Sequence, residues 1–105
     1  RFLSVHINSA DSASAKGTET LYKDYKTYAS VIHSSSLSGM RYTKGSSYDR
    51  SLVYRPGLAV LRGTKMMSAL AEMGFISNST ESARIDARSE AIGSALYQSL
   101  CNSFN

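Results

Sequence analysis

Along this 105-residue chain the spacing of apolar positions switches between a period of two and a period near 3.6, in short blocks separated by polar stretches. Leu3, Val5 and Ile7 alternate with Phe2, Ser4 and His6, which predicts a strand over residues 2–7. Both sets carry bulk, so this strand is expected to be covered on both faces. Residues 8–17 are small and polar and predict a loop, and the β-formers of residues 18–23 predict a second strand. Tyr28, Ala29, Ile32 and Leu37 recur at helical spacing within residues 25–40. Residues 42–56 contain Gly45, Ser46, Ser47 and Pro56 and read as an irregular surface loop.

Residues 58–61, Leu-Ala-Val-Leu, read as a short buried strand, and residues 68–73 as another. Asn78 followed three residues later by Glu81 matches a capping-box pattern at a helix start. A last helix over residues 89–104 places Ile92, Ala95, Leu96 and Leu100 on one face. The expected order is β-β-α-β-β-α-α. It implies an α/β fold with a mixed, mostly parallel sheet flanked by helices.

Length allows one small domain and not two. The first residue is Arg1 rather than methionine, and a strand-like run starts at once, so the chain is expected to begin inside a larger unit. No apolar run approaches the length of a membrane span, and the N-terminus lacks the layout of a signal peptide. The net charge of +4 favours anionic partners. Its carriers are scattered (Lys23, Lys26, Arg41, Lys44, Arg50, Arg55, Arg62, Lys65), with no basic stripe interleaved with aromatics, which argues against nucleic-acid binding. Cys101 is the only cysteine, so no internal disulfide can form, and with no histidine nearby it reads as a packed or idle thiol.

Two residues arrive at the ends of short apolar runs with useful chemistry. His6 is a candidate metal ligand, since imidazole is the commonest protein ligand and a strand end fixes its direction; its bland reading is a histidine bonded to a nearby loop. Glu72 sits among Leu70, Ala71, Met73 and Phe75. A carboxylate so enclosed is costly unless paired, metal-linked or catalytic, and burial would raise its pKa toward a general base's range. Its bland reading is an ion pair with Arg62 or another arginine. His33 falls beside the apolar stripe of its helix and is expected at the solvated surface. The serine-rich stretches contain no Gly-x-Ser-x-Gly elbow, and no phosphate-binding glycine loop is present.

Four segments resemble the zinc-dependent N-acetylmuramoyl-L-alanine amidases of bacterial autolysins and phage endolysins. They are Phe2-Leu3-Ser4-Val5-His6-Ile7-Asn8, Gly17-Thr18-Glu19-Thr20-Leu21-Tyr22, Val60-Leu61-Arg62-Gly63-Thr64-Lys65 and Leu70-Ala71-Glu72-Met73-Gly74-Phe75-Ile76-Ser77-Asn78, in the family's order. The resemblance implies a single α/β domain in which two histidines and a glutamate hold zinc and a second glutamate is catalytic. It makes His6 the last of the three zinc ligands and Glu72 the catalytic glutamate. The other two ligands belong to the family's N-terminal half, so residues 1–105 correspond to the C-terminal portion of one catalytic domain. The implied substrate is the muramoyl–L-alanine amide of peptidoglycan, at an extracellular or cell-wall location reached by secretion or phage release. The missing half implies a companion segment, or a second copy, that completes both the sheet and the zinc site. The alternative is a non-catalytic wall-binding or regulatory fragment that keeps the amidase frame.

Overall fold

The computed structural model describes residues 1–103, so Phe104, the expected last residue of the final helix, lies outside the described residues. The chain forms β1 (Phe2–Asn8), β2 (Thr18–Tyr22), α1 (Lys26–Met40), β3 (Asp49–Tyr54), α2 (Ala59–Arg62), β4 (Ser68–Phe75), α3 (Ser79–Ala87) and α4 (Ser89–Asn102). The strands make one sheet in the order β1-β4-β2-β3. β1 is parallel to β4 and β2 to β3, whereas β2 and β4 are antiparallel. The sheet is therefore mixed and mostly parallel, with helices packed on it, as the pattern of residues implies.

The inner position of β4 accounts for its nearly continuous apolar run. Ala69, Ala71 and Met73 face α1 and α4, where Tyr28, Ile32, Met40, Ile92 and Leu96 complete the main core. Small residues on the strand let α1 lie close to it. Gly39 does the same between helices: a Cβ there would stand 2.8 Å from the Cα of Ile92, so α1 and α4 meet backbone to backbone. The opposite face of the sheet has a smaller core, in which Leu61 of α2 covers Leu21 and Leu70.

Two stretches depart from the sequence reading. Residues 58–61 are not a strand; Leu58 caps the short helix α2, and Leu61 is its buried residue. A four-residue apolar run has no period long enough to separate strand from helix. The stretch expected as loop over residues 42–56 contains β3, whose Asp49, Arg50 and Ser51 hide an edge strand that pairs with β2. The observed order is β-β-α-β-α-β-α-α.

β1 also differs from expectation. Among the described residues it pairs only with β4 and so has an open edge, and the face that carries Val5 and Ile7 is also uncovered near the strand's end. Val5 is 52% and Ile7 47% exposed, and with Leu3, Ile85, Leu96 and Tyr97 they border an open apolar groove of roughly 570 Å³. Exposed apolar edges of this kind favour pairing with further chain.

The loop ends are gathered by Glu81, which is 1% exposed. Its backbone N–H donates to Asn78 Oδ1 at 3.1 Å, the expected helix cap. The carboxylate does not complete the capping box. Oε1 instead accepts from Phe75 N at 2.8 Å, and Oε2 accepts from Gly17 N at 2.9 Å and from the Tyr42 hydroxyl at 2.8 Å. One side chain thus ties the end of β4, the entry to β2 and the segment after α1. Replacing it strands three donors, each costing about 1–3 kcal/mol when buried and unmet. Glu81→Ala is expected to lower the unfolding free energy by about 3 kcal/mol or more in urea titrations, with Glu81→Gln, which keeps an acceptor oxygen, losing less.

Candidate functional site

Strand register sets His6, Glu72 and Glu19 side by side. His6 of β1 is the partner of Glu72 on β4, and Glu72 is the partner of Glu19 on β2. Directly opposed residues share a face, so the three side chains form a row across three adjacent strands. The row lies one pleat beyond Leu70 and Leu21, which α2 covers. Past that point the cover thins, and His6 is exposed while Glu72 is partly so.

Glu72 Oε2 is enclosed and has no hydrogen-bond partner among the described residues. No ion pair joins it to Arg62 or to any other described arginine, which removes the bland reading of this carboxylate. Burial raises its pKa above the ordinary 4.5; the neighbouring Glu19 charge adds to the rise and His6 opposes it. The Glu72 carboxyl is thus partly enclosed, with Oε2 unpartnered and its pKa held above the ordinary value.

Glu19 was not singled out in the sequence as a site residue, and its position explains why. Only pairing between β2 and β4 brings it beside Glu72. Two carboxylates directly opposed across strands repel each other. Glu19 is held in place by the Asn8 amide, which donates to Oε1 at 3.1 Å, and by Arg50 Nε, 3.4 Å from Oε2. Arg50 comes from β3, where the register with β2 slips between Thr18 and Thr20 and Ser51 takes a φ of 68°. A bulge of this sort re-aims a neighbouring side chain. Gly17, at φ 114°, clears the path, since a Cβ there would stand 2.8 Å from Arg50 Cγ.

A catalytic zinc requires three protein ligands. His6 could supply one of them, being an accessible imidazole on β1 in register with Glu72, whose Oε2 is unpartnered. Among the described residues no group of three histidine, cysteine or acidic side chains is placed to hold a metal.

His33 is not at the surface. It is 6% exposed, because it lies four residues after Ala29 and joins a stripe wider than the apolar residues mark out. Its Nδ1 lies 3.0 Å from Thr20 Oγ1 and its Nε2 2.6 Å from Asp49 Oδ1, so it braces α1 against β2 and β3 away from the row. Cys101 is exposed and takes no part in the site.

A family model described as N-acetylmuramoyl-L-alanine amidase matches residues 1–102. The chain is 35% identical over 98 residues to the uncharacterised protein YqiI of Bacillus subtilis (strain 168), covering 92% of this chain and 43% of that protein. Its fold is similar to the catalytic domain of CwlV, an N-acetylmuramoyl-L-alanine amidase from Bacillus (Paenibacillus) polymyxa var. colistinus. That match has a TM-score of 0.85 and 28% identity over 98% of this chain and 56% of that one. The amidase AmiC2 of Nostoc punctiforme shares the fold at a TM-score of 0.82 and 24% identity, with 98% and 57% covered. The chain thus spans about half the length of the proteins it matches.

The His33–Asp49 brace has a pH signature. Burial opposes ionisation of Asp49, but donors from Gly45, His33 and Ser51 outweigh it and hold the carboxyl below its ordinary 3.8. A depressed folded pKa contributes stability that is full above the unfolded value and is lost as pH falls through the folded one. Asp49→Ala is expected to cost about 2 kcal/mol near neutral pH. Thermal melts should show that deficit shrinking as the pH drops below 3.8.

Proposed function

This chain belongs to the N-acetylmuramoyl-L-alanine amidase family, and we propose that it supplies part of a zinc-dependent site that cleaves the amide between N-acetylmuramic acid and L-alanine in peptidoglycan. The observation that carries this reading is the register of His6 with Glu72, together with the unpartnered Oε2 of Glu72. In this reading residues 1–105 are the C-terminal portion of one catalytic domain acting at the cell wall, outside the cell.

His6 would hold one position of the metal through a ring nitrogen. A zinc bound there would supply Lewis-acid polarisation of the scissile carbonyl. Glu72 accepts the proton of the attacking water at a carboxylate oxygen and passes it to the departing L-alanine amine. Its enclosed setting suits both halves of that task, because a raised proton affinity strengthens the base and the acid form remains accessible for the return step. The two remaining ligands come from a companion segment or a second copy, docked on the apolar edge of β1 where Val5 and Ile7 are exposed.

The chain by itself is expected to be inactive and to bind less than one zinc per chain by elemental analysis. Mixed with a polypeptide covering the other half of the CwlV catalytic domain, it is expected to gain zinc and to release L-alanine amino termini from purified peptidoglycan. His6→Ala should abolish the zinc gain. Glu72→Gln should keep the zinc yet cut the release rate by roughly 10²–10⁴-fold. Cleavage by the unaided chain, or an undiminished rate in Glu72→Gln, would overturn the proposal.

Glu72 also makes a stability prediction. A carboxyl whose folded pKa is raised contributes stability below its unfolded value and loses it as pH rises through the folded one, so at pH 7 ionised Glu72 weakens the fold. Glu72→Gln is therefore expected to melt at a higher temperature than the parent at pH 7. A lower melting temperature would mark Glu72 as a structural residue instead.

A further inference from the structure

We infer that Arg50 is a specificity-determining residue, whose guanidinium recognises a carboxylate on the stem peptide a short distance beyond the cleaved amide. The inference rests on the muramoyl-peptide reading of the site and names a chemical feature of the substrate that His6 and Glu72 do not read.

Arg50 extends the charged row by one strand. His6, Glu72 and Glu19 come from β1, β4 and β2, and Arg50 reaches Glu19 from β3, so all four strands of the sheet contribute a side chain to one face in sheet order. The simplest account of Arg50 is that it only neutralises Glu19. The contact geometry argues otherwise. The carboxylate is met side-on by Nε at 3.4 Å, rather than by the paired donors of the guanidinium fork, and Nη1 makes a long bond of 3.5 Å to the Lys16 carbonyl. Nη2 finds no acceptor among the described residues, and the side chain is 43% exposed.

The guanidinium is nonetheless firmly placed. It lies over the buried Phe75 ring, 5.1 Å from the centroid, and Glu19 is itself pinned by Asn8. Gly17 leaves room for its stem, at a φ that a side chain would not readily adopt. A partly exposed guanidinium held through Nε and Nη1 by long bonds, with Nη2 lacking an acceptor among the described residues, can donate to a second anion, and a carboxylate accepts such a charge-assisted bond well.

The spacing identifies which carboxylate. β3 lies two strand intervals from β4, about 10 Å, and the arginine side chain leans back along that interval toward Glu19. An extended peptide advances about 3.4 Å per residue. With the scissile amide at His6 and Glu72, an acidic residue one or two positions after L-alanine comes within reach of Arg50. Glu19, lying between, repels a carboxylate placed too near the reacting centre and so helps to set the register of the peptide.

The test assembles this chain, carrying Glu72→Gln to prevent cleavage, with a polypeptide covering the other half of the CwlV catalytic domain, and titrates the assembly with two synthetic probes followed by NMR, reading the Arg50 Nε–H and the Phe75 ring signals. One probe is a muramoyl tripeptide amide whose second residue carries a free carboxylate, and the other is the same compound with that carboxylate amidated. The free acid is expected to bind roughly tenfold or more tightly, as a charge-assisted hydrogen bond provides. Arg50→Gln should reduce its affinity to that of the amide and leave the amide unchanged. Arg50→Lys, which keeps the charge without the fork and preserves the contact with Glu19, should restore part of the preference. Equal binding of both probes to the parent would overturn the role of Arg50 while leaving the muramoyl-peptide site standing. No binding of either would overturn both.

Discussion

A buried carboxylate, Glu81, is the point on which the arrangement of this chain depends. An ionised group removed from water is tolerated only when its oxygens are met by donors. Here the donors come from three separate places: Phe75 at the end of β4, Gly17 before β2 and Tyr42 after α1. Meeting that demand brings together segments far apart in sequence. The Tyr42 hydroxyl feels the same demand from the other side, its pKa raised by burial and then by the bond it donates to Glu81.

The consequences extend to the row of charged residues. Gly17, held by Glu81, begins the segment that carries Glu19, and the same glycine clears the way for Arg50. Phe75, held through its N–H, supplies the ring beneath the Arg50 guanidinium. The row itself is poorly suited to stability. It opposes two carboxylates across neighbouring strands and encloses an oxygen of Glu72 without a partner. Local conflicts of this kind, maintained by a well-satisfied network next door, are the observation behind the functional proposal for this row.

The other unresolved demand is at the sheet edge. β1 carries His6 and also presents Val5 and Ile7 to solvent beside an apolar groove. The match extends over nearly all of this chain and only about half of its solved relatives. The residue proposed as a metal ligand and the surface proposed to receive more chain therefore lie on one strand. In that proposal, a segment paired along the outer edge of β1 would pass beside His6 on one face of the sheet and beside Val5 and Ile7 on the other.

Short-range pattern was sufficient for most elements, and it drew attention to two candidate site residues. β1, β2, α1, β4 and the helices after it follow from period and capping, and His6 and Glu72 stand out because each interrupts an apolar run. Residues 58–61 and 49–54 escaped that reading, since four apolar residues fit strand or helix equally and an edge strand can be mostly polar. Likewise, Glu81 looked like one half of a capping box, His33 like a surface residue and Arg50 like one of several scattered charges, and Glu19 was not singled out within its segment. Their roles arise from cross-strand register, a bulge at Ser51 and the two-residue width of a helix stripe. Those features exist only once distant segments are paired, because a side chain's neighbours across a sheet are set by the register of the strands and not by the residues beside it in the chain.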